Sequence, residues 1–99
     1  MLKTGTYQVS YSITTDVTLG SARSTSYAYL RINGVGEQTA SRTYMYNREV
    51  NNGENTASKT MMFALTANDT IELRAVRNAG TDTVEVLKHY TTLALHRLT

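Results

Sequence analysis

The sequence predicts a single all-β domain, an antiparallel sandwich or barrel, on three observations. Apolar and polar residues alternate with period two along most of the chain. Clusters of Asn, Gly and Asp recur roughly every ten to fifteen residues, the spacing of turns between short strands. Threonine fills 17 of the 99 positions, and its branched Cβ suits a pleated surface and weakens a helix. No window of about eleven residues favours an amphipathic helix over a strand.

The strands follow in order. "GTYQVSYSITT" puts Tyr7, Val9, Tyr11 and Ile13 on one face and Thr6, Gln8, Ser10 and Ser12 on the other. "STSYAYLRING" sets Ala28, Leu30 and Ile32 against Tyr27, Tyr29 and Arg31, and its Asn33-Gly34 is a strong turn signal. "SRTYMYNREV" alternates Arg42, Tyr44, Tyr46 and Arg48 with Thr43, Met45 and Asn47, and "NNGEN" closes it with residues that tolerate positive φ. "ASKTMMFALTAND" carries Met61, Phe63 and Leu65 on one side and Thr60, Met62 and Ala64 on the other. In "TANDTIELRAV" a hairpin corner at Asn68 and Asp69 leads to a strand with Ile71, Leu73 and Ala75 on one face and Glu72, Arg74 and Val76 on the other. After a turn at Asn78-Ala79-Gly80, "TDTVEVLKHY" and "TTLALHRLT" supply the last strands. Nothing resembles a linker or a low-complexity run, so residues 1–99 read as one domain.

A domain of this size buries only about two thirds of the surface of its unfolded chain. With no cysteine there is no disulfide and no thiolate metal site to compensate, and oligomerisation is the common remedy. Seven of the eight aromatic residues are Tyr, which suits half-buried faces and interfaces. The formal charge is +2, and the ten Lys and Arg run from Lys3 to Arg97 without clustering, which argues against a nucleic-acid partner. No apolar run is long enough to span a bilayer, and "MLKTGTYQVS" has no signal-peptide character, so the expectation is either a chain made and used in a cytoplasm or a fragment whose targeting segment has been cut off.

Candidate chemistry is sparse. His89 and His96 are the only histidines, and no Cys or carboxylate pair joins them at metal-ligand spacing. His96 copies meeting at a threefold axis are the one arrangement that would gather imidazoles; a packed histidine is the plainer expectation. A glycosidase would need two carboxyls roughly 5–10 Å apart, and nothing singles out two among Asp69, Glu72 and Glu85. Asp69 reads instead as a turn residue capping its own backbone two residues on. One such group offers too few ligands for calcium, and the Asn68-Asp69-Thr70 glycosylation match carries little without a secretory route. No cofactor is expected. Two hydroxyl- and amide-rich stretches, 14–26 and 48–58, read as long loops whose Arg23, Arg48, Asn52 and Glu54 are candidates for contact with a partner or a sugar.

The pieces "GTYQVSYSI", "AYLRING", "FALTANDTIELRA" and "TTLALHRL" together resemble the trimeric jelly-roll superfamily of the tumour necrosis factor and complement globular-head type. There a Gly-x-Tyr strand opens the sandwich, an apolar strand runs into Asn-Gly, a Leu-x-x-x-Asp strand follows, and an apolar C-terminal strand lies near the trimer axis. Those places are held by Gly5 and Tyr7, by Leu30 to Gly34, by Leu65 and Asp69, and by Leu93 to Leu98. Animal members are longer and secreted; the compact chain here looks more like versions found in bacteriophage virions.

The resemblance implies an antiparallel jelly-roll sandwich of about eight strands forming a homotrimer. Its interface is expected to involve Tyr27, Tyr29, Tyr44, Tyr46, Ala94, His96 and Leu98. It implies a non-enzymatic virion protein made in the host cytoplasm, with the major capsid protein or another virion protein as partner. Capsid decoration is the expected role, because no shaft, collagen-like repeat or coiled coil lies within these residues. The alternatives are a fibre or spike tip that binds a host-surface saccharide or protein receptor, and an animal-type signalling ligand of the same fold.

Overall fold

A computed structural model describes residues 2–19, 24–47, 54–79, 83–87 and 90–99. They form two antiparallel sheets from seven strands: β1 (Gly5–Leu19), β2 (Ser24–Ile32), β3 (Val35–Asn47), β4 (Asn55–Leu65), β5 (Ile71–Ala79), β6 (Thr83–Val86) and β7 (Thr92–Arg97). One sheet is built on β1, with β4 on one edge and β6 and β7 on the other; the second has the order β3-β2-β5. No helix among the described residues is long and apolar enough to cross a membrane.

Among the described residues seven strands stand where about eight are expected, and β6 and β7 occupy one edge of β1 end to end. β6 pairs with Thr15–Leu19 and β7 with Tyr7–Ser12. Between them the register slips, and Thr14 bridges the gap: its carbonyl accepts from Leu87 N at 2.9 Å, its N–H donates to Thr91 Oγ1 at 3.4 Å, and its hydroxyl donates to Tyr90 O at 3.3 Å.

β1 carries the core. Tyr7, Val9, Tyr11 and Ile13 are all buried, as the alternation predicts, and each fully buried aliphatic side chain contributes roughly 1.5–3 kcal/mol. Ala28, Leu30, Met45 and Leu65 meet them from the other strands. Gly5 opens β1 because the C-terminus lies against it: an added Cβ would sit 2.6 Å from Thr99 O and 2.7 Å from Arg97 Nε.

In the second sheet, Asn33 (φ 55°) and Gly34 (φ 69°) make a two-residue turn with both residues left-handed, the form that matches strand twist. β3 begins at once, at Val35, six residues before the sequence suggests. It then bulges: Leu30 faces Gln38 but Ala28 faces Thr43, so extra residues on β3 stand opposite Tyr29. The bulge turns Ser41 fully inward. Its hydroxyl accepts from Leu30 N at 2.8 Å and donates to Gln38 O, while its carbonyl accepts from the Tyr11 phenol of the opposite sheet. Burial pushes the Tyr11 phenol pKa up, with the Thr43 hydrogen bond acting against it.

A second polar tie spans the sheets. Asn47, wholly buried, donates to Thr15 Oγ1 at 3.0 Å and accepts from Ser26 Oγ at 3.0 Å. A buried polar group is tolerated only when its hydrogen bonds are made, and this set fixes which residues of the two sheets face each other.

Four sequence expectations are corrected. The stretch 14–26 is not one loop: β1 continues to Leu19 and β2 starts at Ser24, because β6 supplies a ladder for the far end of β1. The stretch 48–58 gives way to β4 at Asn55, and 48–53 lie outside the described residues. The corner at Asn68 and Asp69 is no hairpin, since β4 and β5 belong to different sheets. Nor does Asp69 cap forward. Its Oδ2 accepts from Thr66 N at 2.8 Å, three residues back, and its Oδ1 accepts from Asn33 Nδ2 at 2.9 Å. Asn33 also exchanges two 2.9 Å bonds with the Thr70 backbone, tying the β2–β3 turn to the corner.

Asn47→Ala leaves the Thr15 and Ser26 hydroxyls buried without this partner, at an expected cost of about 2–3 kcal/mol in urea unfolding. A variant within about 0.5 kcal/mol of wild type would show that the tie contributes nothing.

Candidate functional site

The two outer faces of the sandwich differ in chemistry. On the second sheet the outward residues of β2, β3 and β5 form a tyrosine and arginine platform. Tyr27 pairs with Tyr44 on one side and with Val76 on the other, Tyr29 pairs with Arg74, and Thr25 with Tyr46. The rings of Tyr27 and Tyr29 are 6.0 Å apart, and those of Tyr27 and Tyr44 are 5.9 Å apart.

The β3 bulge folds Arg42 back over this platform. Its guanidinium lies 4.0 Å from the Tyr27 ring centre and donates to Tyr44 Oη at 2.9 Å. Glu37 takes the other side of the fork in a bidentate pair with Arg42, which a separation of five positions on a regular strand would forbid, since it puts the two side chains on opposite faces. Arg31 holds Glu72 the same way, at 3.0–3.2 Å, with Arg74 at 3.5 Å from the same carboxylate.

The outer face of the β1 sheet is almost its opposite. Gln8, Ser10 and Ser12 of β1 lie beside Met62, Thr60 and Ser58 of β4 and beside His96, Ala94 and Thr92 of β7. None of these is Lys, Arg, Asp or Glu. Met62 is 67% exposed and Leu98, just past β7, 46%. At the Ser12 end the face hollows into an open cleft of about 410 Å³, lined by Ser12, Thr14, Glu54, Thr56, Tyr90 and Thr92.

The expected interface residues thus divide. Tyr27, Tyr29 and Tyr44 are brought into contact on one outer face, with Tyr46 further along it; Ala94, His96 and Leu98 lie exposed on or beside the other. Of the expected loop contacts, Glu54 lines the cleft, whereas Arg23, Arg48 and Asn52 lie outside the described residues, as does His89. Sequence reasoning passed over Glu37, Met62 and Tyr90. Met62 was legible as the outward partner of Met61; Glu37 needed the bulge, and Tyr90 the break between β6 and β7.

Three of the acids, Glu37, Asp69 and Glu72, are placed for structure. Glu37 and Glu72 are held below the ordinary carboxylate range chiefly by hydrogen bonds from Arg42 and Arg31, and Asp69 by Asn33 and the Thr66 amide. Asp69 and Glu72 are each engaged with different partners. Among the described residues no three of His, Asp and Glu converge to hold a metal ion. Comparison with protein-family models finds no matching family, and comparison with curated proteins and with solved structures finds no similar protein.

The three depressed carboxylates set an acid limit. A folded-state pKa below the unfolded value contributes stability that is present above the unfolded pKa, about 4, and is lost as pH falls through the folded value. Urea midpoints should hold from neutral pH to about pH 5 and fall below about pH 4, less steeply in the Glu37→Gln, Asp69→Asn, Glu72→Gln triple variant. An acid limb identical in wild type and triple variant contradicts this assignment.

Proposed function

We propose that the chain is a non-enzymatic structural module that assembles as a homotrimer through the outer face of the β1 sheet, in the role of a virion decoration protein. The observation that carries the reading is the absence of Lys, Arg, Asp and Glu among Gln8, Ser10 and Ser12 of β1 and their partners on β4 and β7, with the acidic pair Asp16 and Glu85 lying beyond at the β6 end. A solvated sheet face ordinarily carries charge for solubility, and the buried centre of an interface is depleted in it. Small Ser, Thr and Ala side chains let flat faces approach closely, and Met62, His96 and Leu98 supply area to bury.

The finer jelly-roll reading is supported by the order of the strands. The connections β1–β2, β3–β4, β4–β5 and β5–β6 all pass from one sheet to the other, the habit of a double-sheet jelly roll. The trimer uses one of the two expected groups of residues. Patches on opposite faces of a sandwich relate copies as an open stack, whereas a closed ring needs patches that converge on one axis. Ala94, His96 and Leu98 belong to the axis side, and the tyrosine and arginine platform faces outward.

Decoration of a shell rests on the resemblance. Each trimer would bridge neighbouring capsid subunits through contacts that exist only in the assembled shell, and so raise the cost of rupture. A receptor-binding tip is the second reading, favoured by the open cleft beside Tyr90 and Glu54.

Light scattering near micromolar concentration should give three times the 11.0 kDa chain mass, and Ala94→Arg, which places a charge on each copy at the axis side, should give folded monomer. A monomeric wild type, or a variant that remains trimeric, removes the proposal. Added to mature empty shells, the trimer should raise their rupture temperature; adhesion to host cells with no effect on shells favours the tip.

A further inference from the structure

The cleft at the Ser12 end of the β1 sheet has a composition that selects among ligands. Its floor is Ser12 and Thr14 of β1, its walls are Thr56 of β4 and Thr92 of β7, and Glu54 and Tyr90 stand at its rim. It exists because β6 and β7 fail to form one continuous strand. Tyr90 N donates to Leu87 O at 3.0 Å, and Tyr90 is 68% exposed. The break is held in place from below, where Thr14 bonds Tyr90 O and the Thr56 hydroxyl, the latter at 2.6 Å.

The lining rejects most ligand classes. Among the described residues it contains no Lys or Arg, and the Glu54 carboxylate repels an anion. One carboxylate is too few oxygens of the required charge for a divalent cation. Among the described residues Tyr90 supplies the large apolar surface, and a wholly apolar ligand would strand the Ser12 and Thr92 hydroxyls, those of Thr14 and Thr56 being bonded to each other. What remains is a neutral ring with polar groups around its rim and C–H bonds on its faces. Tyr90 offers a flat surface to such a face, the Ser and Thr hydroxyls both donate and accept, and a carboxylate accepts two hydroxyl hydrogens at once. A volume of 410 Å³ lies in the range of small-molecule sites, roughly 300–1,000 Å³.

We infer that this cleft is a binding site for a neutral pyranose, with Tyr90 as the stacking surface and Glu54 as the hydroxyl acceptor. The inference goes beyond the assembly reading and does not require it. In a threefold particle the three clefts lie at one height by symmetry, so weak single sites would combine in avidity on a surface that repeats the sugar.

The test is titration of the ¹⁵N-labelled protein with methyl glucoside, methyl galactoside, methyl mannoside and N-acetylglucosamine, with glucuronate as the charged comparator. At least one neutral sugar should give saturable shifts at Ser12, Thr56 and Thr92 with a Kd of about 1–10 mM. Tyr90→Ala, with its other amide positions unchanged, should weaken binding at least about tenfold, the loss of one stacking contact. Glu54→Gln should narrow the preference for the neutral sugar over glucuronate. No saturable shift with any of the four, shifts centred elsewhere, glucuronate binding as well as the neutral sugars, or undiminished binding by Tyr90→Ala each overturns the inference. Because these readouts are independent of solution mass, they separate its failure from that of the trimer.

Discussion

The structure depends on β1 being paired along both edges while burying one face. Its fifteen residues carry β4 on one side and the interrupted β6 and β7 on the other, so its backbone groups are satisfied in place and its inward row supplies Tyr7, Val9, Tyr11 and Ile13. In a chain this short no other strand contributes as much core. The two polar ties then start from β1: Tyr11 reaches the β3 bulge and Thr15 reaches Asn47. Hydrophobic burial alone is indifferent to small slips of one sheet over the other. Hydrogen bonds that must be made in the interior are not, and they fix the relation of the two sheets.

That fixed relation gives the outer faces their separate characters. The β3 bulge exists because Ser41 turns inward to meet Leu30 and Tyr11, and its outward consequence is that Glu37 and Arg42 meet over Tyr27. The arginines of that face are thereby engaged, each braced by a carboxylate or a ring. From Gln8 to Ser12 the outer face of the β1 sheet has no such devices and no charges that would need them, the acidic pair Asp16 and Glu85 lying beyond at the β6 end. An uncharged, flat, small-residue face suits burial against another chain, and a braced charged face suits water. The cleft lies at the end of the uncharged face, where the break between β6 and β7 adds an aromatic ring and Glu54 adds the nearest carboxylate.

Much of this was legible in the sequence, for physical reasons. Period-two alternation reports burial directly, and Tyr7 to Ile13, Ala28 to Ile32 and Ile71 to Ala75 face as the pattern indicates. Asn33-Gly34 specified its turn because left-handed φ at two successive positions selects those residues. The far end of β1 was hidden: Thr15, Val17 and Leu19 do alternate with Thr14, Asp16 and Thr18, but the run of hydroxyls reads as loop until β6 is known to pair with it. The β3 bulge was hidden too, since a strand pattern cannot show where its partner slips by several residues. At the cleft, Glu54 was singled out within a polar stretch, whereas Tyr90 became a site residue only through a break in pairing, a long-range property that local sequence does not encode.

The claim on which the functional account rests is that the outer face of the β1 sheet is covered in the assembled protein. Met62 reports on it directly, being 67% exposed in the single chain while Met45 is 3% exposed. Peroxide oxidation of the native protein, followed residue by residue, compares the two thioethers under one condition. The account predicts that Met62 is oxidised almost as slowly as Met45 in the assembled protein and at least about tenfold faster once dilution separates the chains. Fast oxidation of Met62 at concentrations where the chains remain associated would contradict it, because assembly would then be using another surface.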